Sequence, residues 1–187
     1  MARLVAEHGP MHLPPPPRAS QRFEQLARSI TFQQLAGRAA STIWGRVRAL
    51  VPGEFTPTAV LSVPPTDLAA AGLSRAKLAS IRDLAEHASD GRVVLERIGR
   101  LSDDDVIEHL TAVRGIGPWT AQMFLMFTLH RLDVWPTGDL GVRIGFAKAW
   151  GLGERPTPGE LEVLGDPYRP DRSVVAWYCW RAADTTT

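Results

Sequence analysis

Three groups of residues in this sequence could do chemistry. The first is Arg114-Gly115-Ile116-Gly117-Pro118, which joins two stretches of helical apolar spacing. Small residues let a backbone approach a ligand closely, and amides at a helix N-terminus point at anions. A phosphodiester is such an anion, so the run could hold a nucleic-acid backbone without reading base sequence. Without a ligand it is a plain turn between helices. The second is Asp139, in Pro136-Thr137-Gly138-Asp139-Leu140, where another amphipathic run begins. An aspartate there is either a helix N-cap or a carboxylate placed to stabilise developing positive charge. The third is a set of aromatic, thioether and amide side chains: Phe32, Gln33 and Gln34 in one junction, Trp119 just after the hairpin, and Met123 one turn further on the same helical face.

The elements that must position these groups are all helical. Ser102 caps a helix whose apolar face carries Val106, Leu110 and Val113. Gly115 suits the helix exit and Pro118 the first turn of the next helix, which is predicted from Trp119 to about His130. Asp139 precedes a helix marked by Val142, Phe146 and Ala149. Upstream, Phe23, Leu26 and Ile30 share one face, and Ala39, Ile43, Trp44 and Val47 another, with the Gln33-Gln34 junction between them. Pro52, Pro57, Pro64 and Pro65 keep any helices between 52 and 70 short. Ser74 caps a helix through Leu78, Ile81 and Leu84, where Arg75 and Lys77 either meet phosphates or form a solvated helix start. Residues 1–19 read as an N-terminal arm, a short helix from Arg3 to His8 followed by Pro14-Pro15-Pro16-Pro17. Residues 20–187 form the domain proper. Strict alternation with period two persists nowhere, so the expected fold class is all-α, without a sheet.

Composition narrows the function. A chain of 187 residues fits one domain or two closely joined lobes. A net charge of +1 argues against a large basic surface, though not against DNA binding through amides and a local patch. Lys77 and Lys148 are the only lysines, and Cys179 is the only cysteine. One cysteine excludes an intramolecular disulfide and a four-cysteine iron–sulfur cluster within this sequence. No segment reads as a membrane span or a signal-peptide core, so no membrane partner is expected, and the expected location is cytoplasmic, at the nucleoid in a prokaryote. A monomer is expected.

The hairpin, the Gly/Pro-rich loop and Asp139 together resemble the helix-hairpin-helix (HhH-GPD) DNA glycosylase superfamily. The motif spans Thr111 to Gly145, and the resemblance extends from about Phe23 to Arg181. Within that superfamily the chain looks most like the DNA-3-methyladenine glycosylase II branch. The resemblance implies a two-lobed helical fold with the active site in the cleft between lobes. It also implies that Asp139 is the catalytic carboxylate and that Gly115, Gly117 and Thr120 supply phosphate-binding amides. By the same carry-over, the backbone carbonyls of Thr111, Val113 and Ile116 bind a structural sodium or potassium ion, no other cofactor being expected. Gln34 corresponds to a wedge that fills the gap left by a flipped nucleotide. Gln33 lies near the pocket floor, and Trp119, Met123 and Phe32 are pocket candidates, with Trp135 a further one. Bifunctional relatives carry a lysine at the position of Trp119; its absence here implies a monofunctional enzyme acting on damaged double-stranded DNA.

Loss of a base builds positive charge on the sugar, which a nearby carboxylate stabilises. The base must first leave the stack and enter a pocket. Three readings are consistent with the residues: a glycosylase for alkylated purines, a glycosylase for deaminated or mispaired bases, and a non-catalytic DNA-binding module in which Asp139 is only a cap.

Overall fold

The computed structural model describes residues 1–184, and every regular element among them is helical. In chain order these are α1 (Ala2–His8), α2 (Arg22–Phe32), α3 (Gly37–Ala49), α4 (Pro57–Ser62), α5 (Pro65–Ala70), α6 (Arg75–Ser89), α7 (Asp103–Thr111), α8 (Pro118–Phe127), α9 (Leu140–Trp150), α10 (Pro158–Gly165) and α11 (Arg172–Asp184). Single 3₁₀ turns precede α2, α7 and α11. The all-α expectation holds.

The chain divides into two compact units. One is Pro17–Phe124. Its centre is α6, against which α2, α4 and α5 pack, while α3 lies on α2. Leu26, Ile30, Val47, Val60, Leu68, Ile81, Leu84, Val106 and Leu110 are wholly buried there. The capping signals act as the sequence predicts. Ser74 Oγ accepts the Lys77 amide, and Ser102 Oγ accepts that of Asp105. The two short helices of 57–70 each have proline at the first helical position, where its missing N–H costs nothing.

The other unit joins Met1–Pro16 to residues 125–184. Its centre is the pair α9 and α11. Their approach depends on Gly145, where an added Cβ would stand 1.7 Å from the carbonyl oxygen of Cys179. Trp135 is buried beneath α10, its Nε1 donating to Leu161 O at 2.8 Å, and Gly165 leaves the space its indole fills. This makes Trp135 a core residue rather than the pocket residue the sequence also allowed. The arm is tethered through α1: Leu4 is buried against Tyr178 and Ala182, and Tyr178 Oη donates to Gly9 O at 2.8 Å.

One boundary differs from expectation. α8 stops at Phe127 instead of continuing to His130. His130 takes a left-handed backbone, φ 55°, and the Arg131 amide turns back to Leu125 O at 2.9 Å. Tertiary packing overrides the continuing apolar spacing here.

Candidate active site

The hairpin between α7 and α8 is held from α6. Gly115 has φ +77°, and a Cβ there would lie 2.2 Å from Ser80 Oγ, so both backbone and packing require glycine. Asp83 Oδ2 accepts the Arg114 amide at 2.7 Å. Gly117 is different. Its φ is ordinary and a Cβ would meet nothing within 4 Å. The protein's own packing does not ask for glycine there; room for a ligand would. Thr120, in the first turn of α8, is buried, and its hydroxyl accepts from Gln33. Of the three carbonyls expected to hold a cation, that of Val113 accepts the Ile116 amide at 3.1 Å, and those of Thr111 and Ile116 lie on the same hairpin.

Beside the hairpin the same unit has an open cavity of about 510 Å³, lined by Ser29, Phe32, Gln33, Gln34, Trp119 and Thr120. Four residues singled out for pocket and wedge therefore converge, with Ser29 added. Trp119 is 48% exposed, which excludes the reading that it is a core tryptophan. Met123 is half-buried on the next turn and lies outside the lining. The cavity forms at the N-terminal end of α8, and a residue one turn on is carried away from it. Gln33 Nε2 donates to Gly115 O and to Thr120 Oγ1, both at 3.1 Å, so both amide hydrogens are engaged. Gln34 is exposed with φ 55°, unusual for a residue with a side chain. The Arg28 guanidinium lies 4.3 Å from the centre of the Phe32 ring.

Lys77 departs from both of its readings as a surface cation. Its Nζ donates at 2.7 Å to Thr31 O and at 2.7 Å to Gln33 O, carbonyls at the end of α2. Burial pushes its pKa below the ordinary lysine value.

In the other unit Asp139 caps α9. Its Oδ1 accepts the Val142 amide at 2.8 Å and Trp180 Nε1 at 2.9 Å. Two donors on one oxygen fix the carboxylate's orientation. Trp180 reaches it because Gly141 on α9 has no side chain; a Cβ there would lie 2.8 Å from Trp180 Cδ1. The cap reading is therefore correct and does not exclude a chemical role.

The loop leading to Asp139 is anchored by the Arg-Pro-x-Arg-Ser phrase at 169–173. Arg172 Nε and Nη2 donate to the two carboxylate oxygens of Asp133 at 2.6 and 3.0 Å, and Arg169 Nη1 adds a third bond at 2.9 Å. Ser173 Oγ accepts the Val134 amide and donates to Arg131 O. Burial alone would raise the Asp133 pKa, but the arginine hydrogen bonds and charges outweigh it and hold the carboxyl below its usual range. Asp171, within the phrase, is exposed at the start of α11. Cys179 is buried, and burial, reinforced by the Asp139 charge, pushes its thiol pKa far up, which keeps it an unreactive packing residue.

Sequence reasoning missed Trp180, Ser80, Asp83 and the bracing role of Lys77. Only one of these left a signal: Gly141 and Gly145, four apart on a helix, mark a face that another helix approaches closely.

A helical chain whose Gly-x-Gly hairpin precedes a capped aspartate belongs to a definable class. This chain is a member of the HhH-GPD superfamily of base excision DNA repair proteins, whose family model matches residues 27–170. It is 34% identical over 164 residues to DNA-3-methyladenine glycosylase 1 of Schizosaccharomyces pombe, covering 86% of this chain and 72% of that protein. Among solved structures, the DNA-3-methyladenine glycosidase of Bacillus halodurans superposes with a TM-score of 0.87 at 38% identity, over 98% of this chain and 84% of that one. The S. pombe 3-methyladenine DNA glycosylase in complex with abasic DNA gives 0.84 at 32% identity, over 99% and 93%.

Proposed function

We propose that the protein is a monofunctional DNA glycosylase that releases alkylated purines, of the 3-methyladenine type, from double-stranded DNA. The observation that carries this reading is the cavity beside the hairpin. Its walls include the rings of Phe32 and Trp119, and both hydrogens of the Gln33 amide are already bonded within the protein. Such a pocket discriminates by stacking and charge rather than by a hydrogen-bond code. A purine alkylated at N3 or N7 is cationic and is held by electron-rich faces. The Gln33 side chain keeps an oxygen acceptor, which also favours an electron-poor base.

The reaction follows from these parts. The bond between C1′ and the purine nitrogen breaks, and its electron pair leaves with the base, cancelling the base's positive charge. The sugar becomes oxocarbenium-like, and the Asp139 carboxylate stabilises that charge. A water adds to C1′ and loses its proton, leaving an intact abasic strand. Lyase chemistry would need an amine nucleophile. Position 119 is tryptophan, and the lysine of that unit, Lys77, is bonded to two carbonyls. This supports base release without strand cleavage.

DNA is held through the amides of Gly115, Gly117 and Thr120, with Gln34 as the wedge. A monovalent cation on the carbonyls of Thr111, Val113 and Ile116 fits this donor set, since neutral oxygens suit a hard ion and the one bond to Val113 O leaves a lone pair. The protein would act as a monomer, in the cytoplasm and at the nucleoid in a prokaryote.

Single-turnover release from duplexes carrying one lesion each tests the reading. Release of 3-methyladenine and 7-methylguanine, measured as enhancement over spontaneous loss, should exceed that of hypoxanthine and uracil. Faster uracil release would transfer the assignment to deaminated bases, and no release from any duplex would leave only a DNA-binding module.

A further inference from the structure

One face of α6 serves both elements that would meet DNA. Ser80 lies against Gly115, Asp83 holds the Arg114 amide, and Lys77 holds the carbonyls of Thr31 and Gln33. The last contact is the unusual one. The final carbonyls of a helix have no partner within the helix, and a cation placed there satisfies them and opposes the helix dipole. Lys77 does this from another helix, with both bonds at 2.7 Å.

The residue after Gln33 is Gln34, whose left-handed backbone no glycine relieves. A conformation of that kind persists only where its surroundings over-determine it. Gln33 supplies the constraint at both ends. Its carbonyl is tied to Lys77, and its side chain to Gly115 O and Thr120 Oγ1. The Leu35 amide then closes the turn on Phe32 O at 3.3 Å. Gln34 emerges exposed from this clamp.

We infer that Lys77 is a positioning residue, which locks the Gln33–Gln34 turn and sets the exposed Gln34 side chain in register with the hairpin. The role in DNA rests on the function proposed above; the clamp itself does not. A lysine in the first turn of an ordinary helix would be exchangeable. Here its ammonium determines where a side chain on the far side of three intervening helices in the sequence is presented.

Two measurements test this on the whole protein. The first needs no DNA. In Lys77→Met, which keeps the aliphatic stem, amide hydrogen exchange at Leu35 should quicken relative to wild type while Ile81 and Leu84 amides stay protected; Lys77→Gln is carried alongside and gives the same comparison should the first variant fail to fold. Unchanged exchange at Leu35 overturns the clamp, and so does a uniform rise across the unit, which would make Lys77 a general stabiliser. The second is single-turnover release of 3-methyladenine from duplex DNA, where misplacing a positioned group slows Lys77→Met by about 10–100-fold. Adding Lys77→Met to Gln34→Ala should then cost little more than Gln34→Ala alone. Full additivity overturns the positioning role. A wild-type protein that releases no base would refute the proposed function, and the exchange result would still decide the clamp.

Discussion

Gly141→Ala is the smallest change that should separate holding the proposed catalytic carboxylate, Asp139, from merely possessing it. A Cβ at 141 would stand 2.8 Å from Trp180 Cδ1, 3.3 Å from Trp180 Nε1 and 3.2 Å from Asp139 Oδ1. It therefore stands beside the Trp180–Asp139 bond and presses on both its donor and its acceptor. Carbon–carbon contact at about 3.5 Å requires the indole to retreat by roughly 0.7 Å. The Trp180–Asp139 bond, 2.9 Å in the folded protein, then lengthens and loses its alignment, which weakens it. A hydrogen bond to a charged group contributes about 1.5–3 kcal/mol. If the transition state depends on the orientation that bond maintains, the rate falls by about 10–100-fold, at about 1.4 kcal/mol per factor of ten. The Val142 amide still caps Oδ1, so the carboxylate is loosened and not lost. Alanine also favours helix over glycine by up to about 1 kcal/mol, which offsets part of the packing strain. The expected result is a slower single-turnover rate with near-normal melting temperature and DNA affinity. Trp180→Phe removes the donor without the wedge and should show the same fall, and combining the two should add little. Wild-type rates in both variants, or a loss that tracks only the folded fraction, would refute the argument.

Asp139→Asn should nearly abolish base release while DNA binding persists, as gel shift beside a single-turnover assay would show; wild-type excision would end the carboxylate assignment. Gly117→Glu should weaken binding to damaged and undamaged duplexes alike with melting temperature unchanged, since no protein atom stands in the way; normal binding with lost lesion preference would instead make position 117 part of the pocket. The product strand should remain uncut until alkali or heat is applied, and borohydride should trap no covalent adduct. Asp133→Asn should lower stability by about 2–3 kcal/mol, because it strips the buried Arg172 guanidinium of a charged partner that is itself partly exposed. The Asp133 pKa is depressed, so its contribution is complete above the unfolded value of about 3.9 and is lost as pH falls through the lower folded value. The gap between wild-type and variant melting temperatures should close only in that acid window.

What the sequence revealed were the parts with local signatures. Ser102, Gly115 and Pro118 mark the ends of α7 and α8 by chemistry that acts within a few residues, and Asp139 marks the start of α9 in the same way. The grouping of Phe32, Gln33, Gln34 and Trp119 came from a family resemblance, and in the structure the four line one cavity. The braces were not legible. Lys77 occupies a helix first turn, where a cation reads as solvated, and nothing near it in sequence announces the two carbonyls it meets. Trp135 sits in a loop rich in turn residues, which reads as pocket, because the space left by Gly165 is visible only after folding. Met123 follows Trp119 at helical spacing, but that spacing gives the face of α8 and not the position of a cavity along its axis.

The missed braces share a design. The groups that would act on DNA lie in loops or in first helical turns, where backbone freedom is greatest. The Gln33–Gln34 turn, the hairpin at Arg114 and the Asp139 carboxylate are held by Lys77, Asp83 and Trp180, each reaching in from another helix. In the unit containing Asp139 a single helix holds both ends of the loop from Arg131 to Asp139. Arg172 and Ser173, at the start of α11, bind its beginning, and Trp180, two turns along, binds its end. The loop's ends are therefore referred to one helix, and the position of the carboxylate is tied to the packing of α11 on α9. The contact of Gly145 with the Cys179 backbone opposes any shift in that packing, since the two helices already approach as closely as their main chains permit. Any side chain at 145 would have to part them. Gly145→Ala should accordingly cost far more stability than Gly141→Ala, although both replace a glycine on the same helix. The difference lies in what the new methyl meets: an indole that can move at 141, a backbone that cannot at 145.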